Sequence, residues 1–475
     1  MGDTDMRRRA LSVGLALVFA PFLGGCLVGP NYERPQMPSP PQYRFLAGAP
    51  QAESLADAPW FQVFDDPALQ SLIKEAIANN LDLRMAVARV EETRARAGIA
   101  KSYLYPQVDG VVSYNARQTS GLRGDATSGE DEDTTAQSGV YGFSLSWELD
   151  LFGRIRRGHE SALALVLATD QARRGVLVTL VGDVASHYFL LRELDLQLMI
   201  ARRTLGLNDE TVTYFQNRLD GGVANRLEVD RIRANRSQTA AAIPDIEQQI
   251  AVVENSLSLL LGRPPSAIPR QALGEAEMLA PAIPPGLPAS LLERRPDVAQ
   301  AEQLLISANA DIGVAKAMFF PTISLTGFLG AVSGDLSNFL GGDGAAWSLG
   351  GGLLQPIFQG NRLRRNAEAA QARFEIAVAA YQKAALNGYR EVSSALITIQ
   401  KLAERRVEEQ IGVTALLDAS ELARSRYDSG LASYIEILTA DQELFQQQLI
   451  LAQTRGAELR ARAELYRTLG GGWQP

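Results

Sequence analysis

Cysteine and histidine are nearly missing from this chain. Its 475 residues hold one Cys and two His. An intramolecular disulfide, a Cys-rich metal site and a multi-histidine metal centre are therefore excluded. An excess of positive charge is missing too. Lys and Arg number 46 against 54 Asp and Glu, a net charge of −8. That argues against a nucleic-acid binder, which shows a basic patch or stripe. Beyond the N-terminal segment no apolar run reaches the roughly 18 residues of a membrane-spanning helix, so any bilayer crossing there must be made of β-strands. Catalytic signatures are absent as well. There is no HExxH, no Walker A and no strand-linked GxGxxG. His159 and His187 fall on predicted long helices without triad partners. What the chain does have is bulk. At ~150 residues per domain there is room for about three. Hydrophobic residues are 46% and charged residues 21%, enough to bury a core.

The N-terminus carries a targeting pattern. Arg7, Arg8 and Arg9 precede an apolar run from Ala10 to Phe22, too short to span a bilayer comfortably. Leu23-Gly24-Gly25-Cys26 then resembles the lipobox of bacterial lipoproteins. That resemblance implies cleavage before Cys26, a diacylglycerol on its thiol and acylation of the new amine. The alternative is a secretory signal peptide beside a chance cysteine. An Asp after the lipidated Cys usually retains a lipoprotein at the inner membrane. Leu27 at that position fits outer-membrane sorting. Two or more acyl chains anchor stably where one is marginal.

The rest is one pattern used twice. Gly98-Ile99-Ala100-Lys101 matches Gly313-Val314-Ala315-Lys316, and Tyr105-Pro106 matches Phe320-Pro321, both at an offset of 215. Farther along the offset is 208. Arg156-Arg157 matches Arg364-Arg365, and Asp220-Gly221-Gly222-Val223-Ala224 matches Asp428-Ser429-Gly430-Leu431-Ala432. The difference is assigned to the acidic stretch Gln118 to Ser138, expected to be an exposed loop longer in the first copy. Each copy reads helix, strand, loop, strand, long helix, turn, helix. Asp66-Pro67 starts the first helix, expected to run unbroken to about Tyr105. Pro106 and Pro321 end their helices. The long helices are expected at about Gly153 to Asn217 and Asn361 to Arg426, each roughly 65 residues or ~98 Å. Helices that long are stable only against other helices. Leu438, Phe445, Ala452, Leu459 and Tyr466 recur every seven residues as a packing seam. The organisation is thus a leader at 1–25, an extended lipidated segment at 26–65, a first repeat at 66–262, a linker at 263–288, a second repeat at 289–470 and a tail at 471–475.

Residues 139–149 alternate. Tyr141, Phe143, Leu145, Trp147 and Leu149 share one face, opposite Gly142, Ser144, Ser146 and Glu148. Trp347, Leu349, Gly351 and Leu353 repeat the pattern. Weaker strands are expected at 107–115 and 322–330. Period two with an apolar face and a small polar face fits a membrane barrel, where Trp147 and Trp347 would join an aromatic girdle. A soluble antiparallel sheet gives the same alternation. Four strands cannot close a barrel, whose smallest examples have about eight, and lipid does not tolerate open edges. If these strands span a membrane, several chains share one barrel.

Gly222 and Gly430 stop the long helices in positions suited to a left-handed cap. Asn225 with Glu228, and Ser433 with Glu436, have capping-box spacing. Each copy therefore ends its long helix in a tight hairpin.

The start Cys26-Leu27-Val28-Gly29-Pro30-Asn31-Tyr32-Glu33-Arg34-Pro35 resembles that of the outer membrane factor family, the TolC-like channels, in its lipoprotein branch called NodT. Trp60-Phe61, Phe64-Asp65-Asp66-Pro67-Ala68-Leu69, Leu291-Leu292-Glu293-Arg294-Arg295-Pro296-Asp297-Val298 and Tyr427-Asp428-Ser429-Gly430 also resemble it. The resemblance covers residues 26–470. It implies a membrane α+β fold, in which a homotrimer shares a twelve-stranded outer-membrane barrel, four strands per chain, continued by a long periplasmic α-helical barrel. It implies the exit duct of a tripartite pump, joined through a periplasmic adaptor to an inner-membrane transporter, often of the RND type. Tyr141, Phe143, Leu145, Trp147, Trp347 and Leu349 would face outer-membrane lipid. The turns would close the tunnel and dock the adaptor through Asp220, Gly222, Arg226, Glu228, Asp428, Gly430, Ile435, Glu436 and Thr439. Ile435 occupies the usual apolar gating position. The usual acidic position, nine residues after Gly430, is Thr439, so Glu436 or Asp441 would have to supply an acidic ring. No cofactor is implied beyond the lipid on Cys26. An enzyme and a lipid-anchored coiled-coil scaffold are the other classes considered. A scaffold would need no amphipathic strands. Within the channel class, metal efflux and type I protein secretion compete with drug efflux. Seven Met and two His supply little soft-metal chemistry.

Overall fold

The computed structural model describes residues 27–45, 66–119, 134–270, 294–334 and 344–471. The leader, Cys26, the Trp60-Phe61 motif and most of the 263–288 linker lie outside the described residues. Two helices, α1 (Pro67–Asn79) and α2 (Leu81–Ser102), lead to strands β1 (Gln107–Thr119) and β2 (Thr134–Leu149). Then come α3 (Arg154–Asp220) and α4 (Arg226–Leu260). The second half has α5 (Pro296–Ala317), β3 (Thr322–Ser333), β4 (Ala345–Leu354), α6 (Arg362–Asp428) and α7 (Tyr434–Thr468).

The repeat is kept at the level of elements. Helices α3 and α6 each have 67 residues, and α4 and α7 each have 35, all at the 208 offset. Helices α2 and α5 each have 22, at the 215 offset. A 67-residue helix is ~100 Å long if straight.

Two expectations need correction. The first helix is not continuous, because Asn80 breaks it. The Asn80 Oδ1 accepts from the Leu83 N–H at 2.9 Å, and its Nδ2 donates to the Leu260 carbonyl at 2.9 Å. A short amide side chain that caps the backbone this way ends one helix and starts the next. The acidic stretch is not all loop either. β1 runs to Thr119 and β2 begins at Thr134, with Gln118 opposite Thr135. β2 has sixteen residues and β4 ten, but every β2 position has a counterpart at the 208 offset, so the seven extra residues of the first copy (215 minus 208) fall in sequence between Thr119 and Thr134. One window of α3 has the length and mean hydropathy of a membrane span without being an unbroken apolar run. Its Leu180, Val181, Val184, Tyr188 and Leu191 are core residues, which accounts for that window.

The chain forms two compact units, and neither coincides with a repeat. One draws on Met1–Gln36, Val90–Ala168 and Ala301–Tyr381. It holds the sheet, ordered β1-β2-β3-β4 with antiparallel neighbours, so that β1 and β4 are its edges. The other draws on Met37–Arg89, Thr169–Gln300 and Gln382–Pro475. Its core joins Leu69 and Ile73 of α1, Val184 and Tyr188 of α3, Leu257 of α4, and Phe445 and Tyr466 of α7. Phe445 and Tyr466 belong to the seven-residue seam, and Leu438 and Ala452 of that seam are also buried. Asp66 caps α1 through the Ala68 and Leu69 amides. Its second oxygen accepts from the Tyr188 hydroxyl at 2.7 Å and from Arg192 at 2.8 Å.

Candidate functional site: the sheet face and the helix turns

Residues opposite one another in an antiparallel pair point to the same face, so the register assigns both faces of the sheet. Gly110, Phe143, Leu329 and Trp347 form one row. Val108, Leu145, Gly327 and Leu349 form the next on that face. Tyr141, Trp147, Leu149, Leu325 and Leu353 lie on it too. The alternate face carries Ser113, Ser144, Ser146, Ser324, Thr326 and Ser348 with several glycines, and Phe328 and Val140 among its exceptions. The apolar face is uncovered. Phe143, Leu329 and Leu349 are exposed, and Trp347 is 78% exposed. Trp147 is half-buried, and its indole N–H donates to the Leu104 carbonyl at 3.1 Å. Uncovered apolar surface this continuous marks a place where something other than water is the solvent.

Each long helix ends in a Schellman turn. The Val223 N–H bonds the Arg218 carbonyl at 2.9 Å and the Gly222 N–H bonds the Leu219 carbonyl at 2.9 Å. In the second copy Leu431 bonds Arg426 and Gly430 bonds Tyr427. Gly222 and Gly430 have φ of +73° and +71°, the left-handed conformation that this cap requires and that favours glycine. Asp220 and Asp428 are the last residues of their helices. The restart differs between copies. Asn225 and Glu228 form a reciprocal capping box. Ser433 makes no side-chain capping bond. The Glu436 carboxylate lies instead 3.6 Å from Arg426, so the second expected box is not formed.

Past the turn, one face of α7 is exposed and carries Ile435, Glu436 and Thr439. The Thr439 hydroxyl donates back to the Ile435 carbonyl. Asp441 is engaged within the chain, accepting from Ser420 at 2.5 Å and from Arg424 at 3.0 Å. Of the two acids considered for a ring, Glu436 is the one on the exposed face. Arg226 is exposed and lies 3.5 Å from Asp230 of its own helix.

Sequence reasoning missed what supports the turns. Phe215, Tyr427 and Tyr434 pack together, with Phe215 and Tyr434 ring centroids 4.2 Å apart. The Arg218 guanidinium lies within 6 Å of the Tyr214, Phe215 and Tyr427 rings and donates to the Tyr214 hydroxyl at 3.0 Å. Burial pushes the Tyr434 phenol up to about 12. One hairpin is also bonded to the other, since Gln442 donates to Asn235 at 2.9 Å. That bond lies beside a cavity of about 530 Å³ lined by Gln and Asn side chains together with Leu416 and Phe445.

A third feature is the N-terminal strap at 27–36. The guanidinium of Arg157, only 2% exposed, donates to Asn31 at 2.9 Å and to the Val28 and Gly29 carbonyls, and pairs with Glu160. Gly29 has φ +103° and lies against Gly313 so closely that a Cβ would collide with its Cα. Arg34 and Tyr32 both donate to Glu302. Burial pushes the Glu302 carboxyl up, but the Arg34 guanidinium and the Tyr32 hydroxyl outweigh it and hold it below its usual value.

A profile of the family described as "Outer membrane efflux protein" matches residues 72–263 and 287–471. The chain is 35% identical over 458 residues to the "Solvent efflux pump outer membrane protein SrpC" of Pseudomonas putida, covering 95% of this chain and 96% of SrpC. It is 33% identical over 456 residues to the "Cation efflux system protein CusC" of Escherichia coli, covering 95% and 97%. It is also 33% identical over 458 residues to the "Probable outer membrane lipoprotein SilC" of Salmonella typhimurium, covering 95% and 97%. Among solved structures, the outer-membrane channel OprN superposes with a TM-score of 0.85 at 30% identity, covering 95% of this chain and all of that one. The four-stranded sheet and the doubled helical hairpin fit this fold, in which three chains share one barrel continued by an α-helical barrel. The chain belongs to the outer membrane efflux protein family and is one of three subunits of an outer-membrane channel.

Proposed function

We propose that this channel is the exit duct of a tripartite pump that expels drugs and other small toxic compounds. A periplasmic adaptor joins it to an inner-membrane transporter of the RND type. The likeness to SrpC, named for solvent efflux, supports that cargo class. The observation that carries the assignment is the amphipathic sheet, apolar and uncovered on one face, small and polar on the other. Tyr141, Phe143, Leu145, Trp147, Trp347 and Leu349 face lipid, and the serine-rich face lines the bore. Cys26 carries the lipid, a reading supported by the lipobox and by the likeness to SilC. Ile435, Glu436 and Thr439, on the exposed face past the second turn, narrow the resting tunnel. Opening follows when the adaptor binds the splayed turns better than the shut ones.

Deleting the gene should sensitise cells to solvents and lipophilic antibiotics, and the plasmid-borne gene should restore resistance. Unchanged susceptibility to these compounds, together with new sensitivity to copper or silver ions, would assign the chain to cation export. The likeness to CusC supports that second reading. For the gate, Ile435→Ala with Arg226→Ala should raise single-channel conductance or open probability in planar bilayers without adaptor. Wild-type conductance in the double variant would move the gate elsewhere.

A further inference from the structure

The face of the sheet that carries the serines is not uniformly polar. Its cross-strand rows can be followed outward from the helix end. One row holds Ser146 and Thr326, with Gln107 and Gly350 beside them. The next sets Asp109, Ser144, Phe328 and Ser348 in line. Beyond it lie Val111, Gly142, Gly330 and Ala346, and then Val140 opposite Val332. Hydroxyl side chains therefore give way to an apolar band, and Phe328 stands at the change. It is the one aromatic side chain on this face among the described residues.

The glycines explain how a phenyl ring fits there. A Cβ on Gly330 would come within 2.8 Å of the Phe328 Cζ. The ring thus lies along its own strand over Gly330. A Cβ on Gly142, opposite Gly330, would collide with the Leu329 carbonyl oxygen at 2.5 Å. Neither position can carry a side chain that would cover the ring. Phe328 is half-buried, so part of its π surface is left open. Asp109 stands in the same row, two strands away, and is exposed. Neighbouring strands are about 4.8 Å apart, which puts the two backbones roughly 10 Å from each other. The second acid of this face that lies near the helices, Glu148, is held by Arg154 at 2.7 Å.

An open aromatic face attracts other rings and cations. With an apolar band beyond it and a carboxylate one molecular width away, it complements one chemical class. Resting on the reading that this face lines the bore, we infer that Phe328 and Asp109 form a contact site inside the barrel for planar aromatic cations on their way out. The site occurs once in every chain. A hydrated inorganic cation offers no flat face to the ring, so the site discriminates between the two cargo classes.

Ethidium is the probe. The purified full-length channel is placed in planar bilayers in potassium chloride, and ethidium is added to the compartment that the barrel faces. Interruptions of the potassium current should last roughly threefold longer in the wild type than in Phe328→Leu, the worth of one exposed cation–π contact. Leucine still covers Gly330, and an unchanged potassium conductance without ethidium shows the barrel intact. Phe328→Met decides in the same way if Phe328→Leu does not assemble. Phe328→Tyr should keep wild-type interruptions, and Asp109→Asn should shorten them. Wild-type interruptions in Phe328→Leu would overturn the site, and shortening by Asp109→Asn alone would then reflect only bulk attraction of the cation. The bore reading is checked apart, with Ser348→Cys and Leu349→Cys treated with a water-soluble charged thiol reagent and the wild type as the blank for Cys26. Modification should lower the conductance of Ser348→Cys and leave Leu349→Cys unchanged. That pattern, with wild-type interruptions in Phe328→Leu, would strike the site and leave the bore reading standing. The opposite pattern of modification would overturn the bore reading and the site with it.

Discussion

The first repeat is tied down where the second is bare. Arg157 and Arg365 are equivalent by sequence and both stand in the first turn of a 67-residue helix. Arg157 is buried under the N-terminal strap and bonded to it. Arg365 is exposed and pairs with Glu368 of its own helix. The helix restarts differ in the same sense, with a capping box at Asn225 and no side-chain cap at Ser433. The duplicated pattern therefore determines the lengths of the helices. Local partners outside the pattern determine which copy is held and which is left adjustable.

The largest effect should come from deleting the arginines in turn. Arg157→Ala removes a buried guanidinium with four oxygen partners and should cost about 3 kcal/mol. Arg365→Ala should leave thermal unfolding of the solubilised trimer unchanged. Equal losses at the two positions would show that the strap does not set the asymmetry. Next come the caps. Asn225→Ala should cost about 1 kcal/mol and open the first turn to protease, whereas Ser433→Ala should change protease access little. A similar rise in cleavage at both turns would break the comparison there.

The smallest effect is the pH response of the strap. The Glu302 carboxyl is held below its unfolded value of 4.5, so the folded state binds fewer protons there than the unfolded chain. Its contribution is present above 4.5 and is lost as the pH falls through the lowered folded value. Hydrogen exchange of residues 30–36, corrected for intrinsic rates, should rise only below pH 4.5. Glu302→Gln should abolish that dependence. A rise at neutral pH in the wild type would assign it to another group.

Much of the architecture was legible because it is periodic. The 208 offset between Arg156-Arg157 and Arg364-Arg365 reappears unchanged in the ends of four helices. The alternation from Tyr141 to Leu149 reappears as one face of the sheet. What was not legible depends on single side chains meeting distant backbone. Asn80 breaks the first helix by reaching Leu260, 180 residues away. Glu436 turns to Arg426 and leaves Ser433 uncapped. The Arg218 cluster under the turns had one available signal, because Arg218 and Arg426 are equivalents at the 208 offset. Only the fold shows that Arg218 lies over aromatic rings and that Arg426 faces Glu436.

By itself the sequence determined helix length, strand alternation, the glycine stops and the number of strands. These follow from periods of 3.6 and two residues and from the φ that only glycine takes cheaply. Tertiary structure alone decided the strand register, the burial of Arg157 against the exposure of Arg365, and the engagement of Asp441 within the chain. Each of these depends on which segments lie side by side, a matter of long-range packing and desolvation that no local pattern encodes.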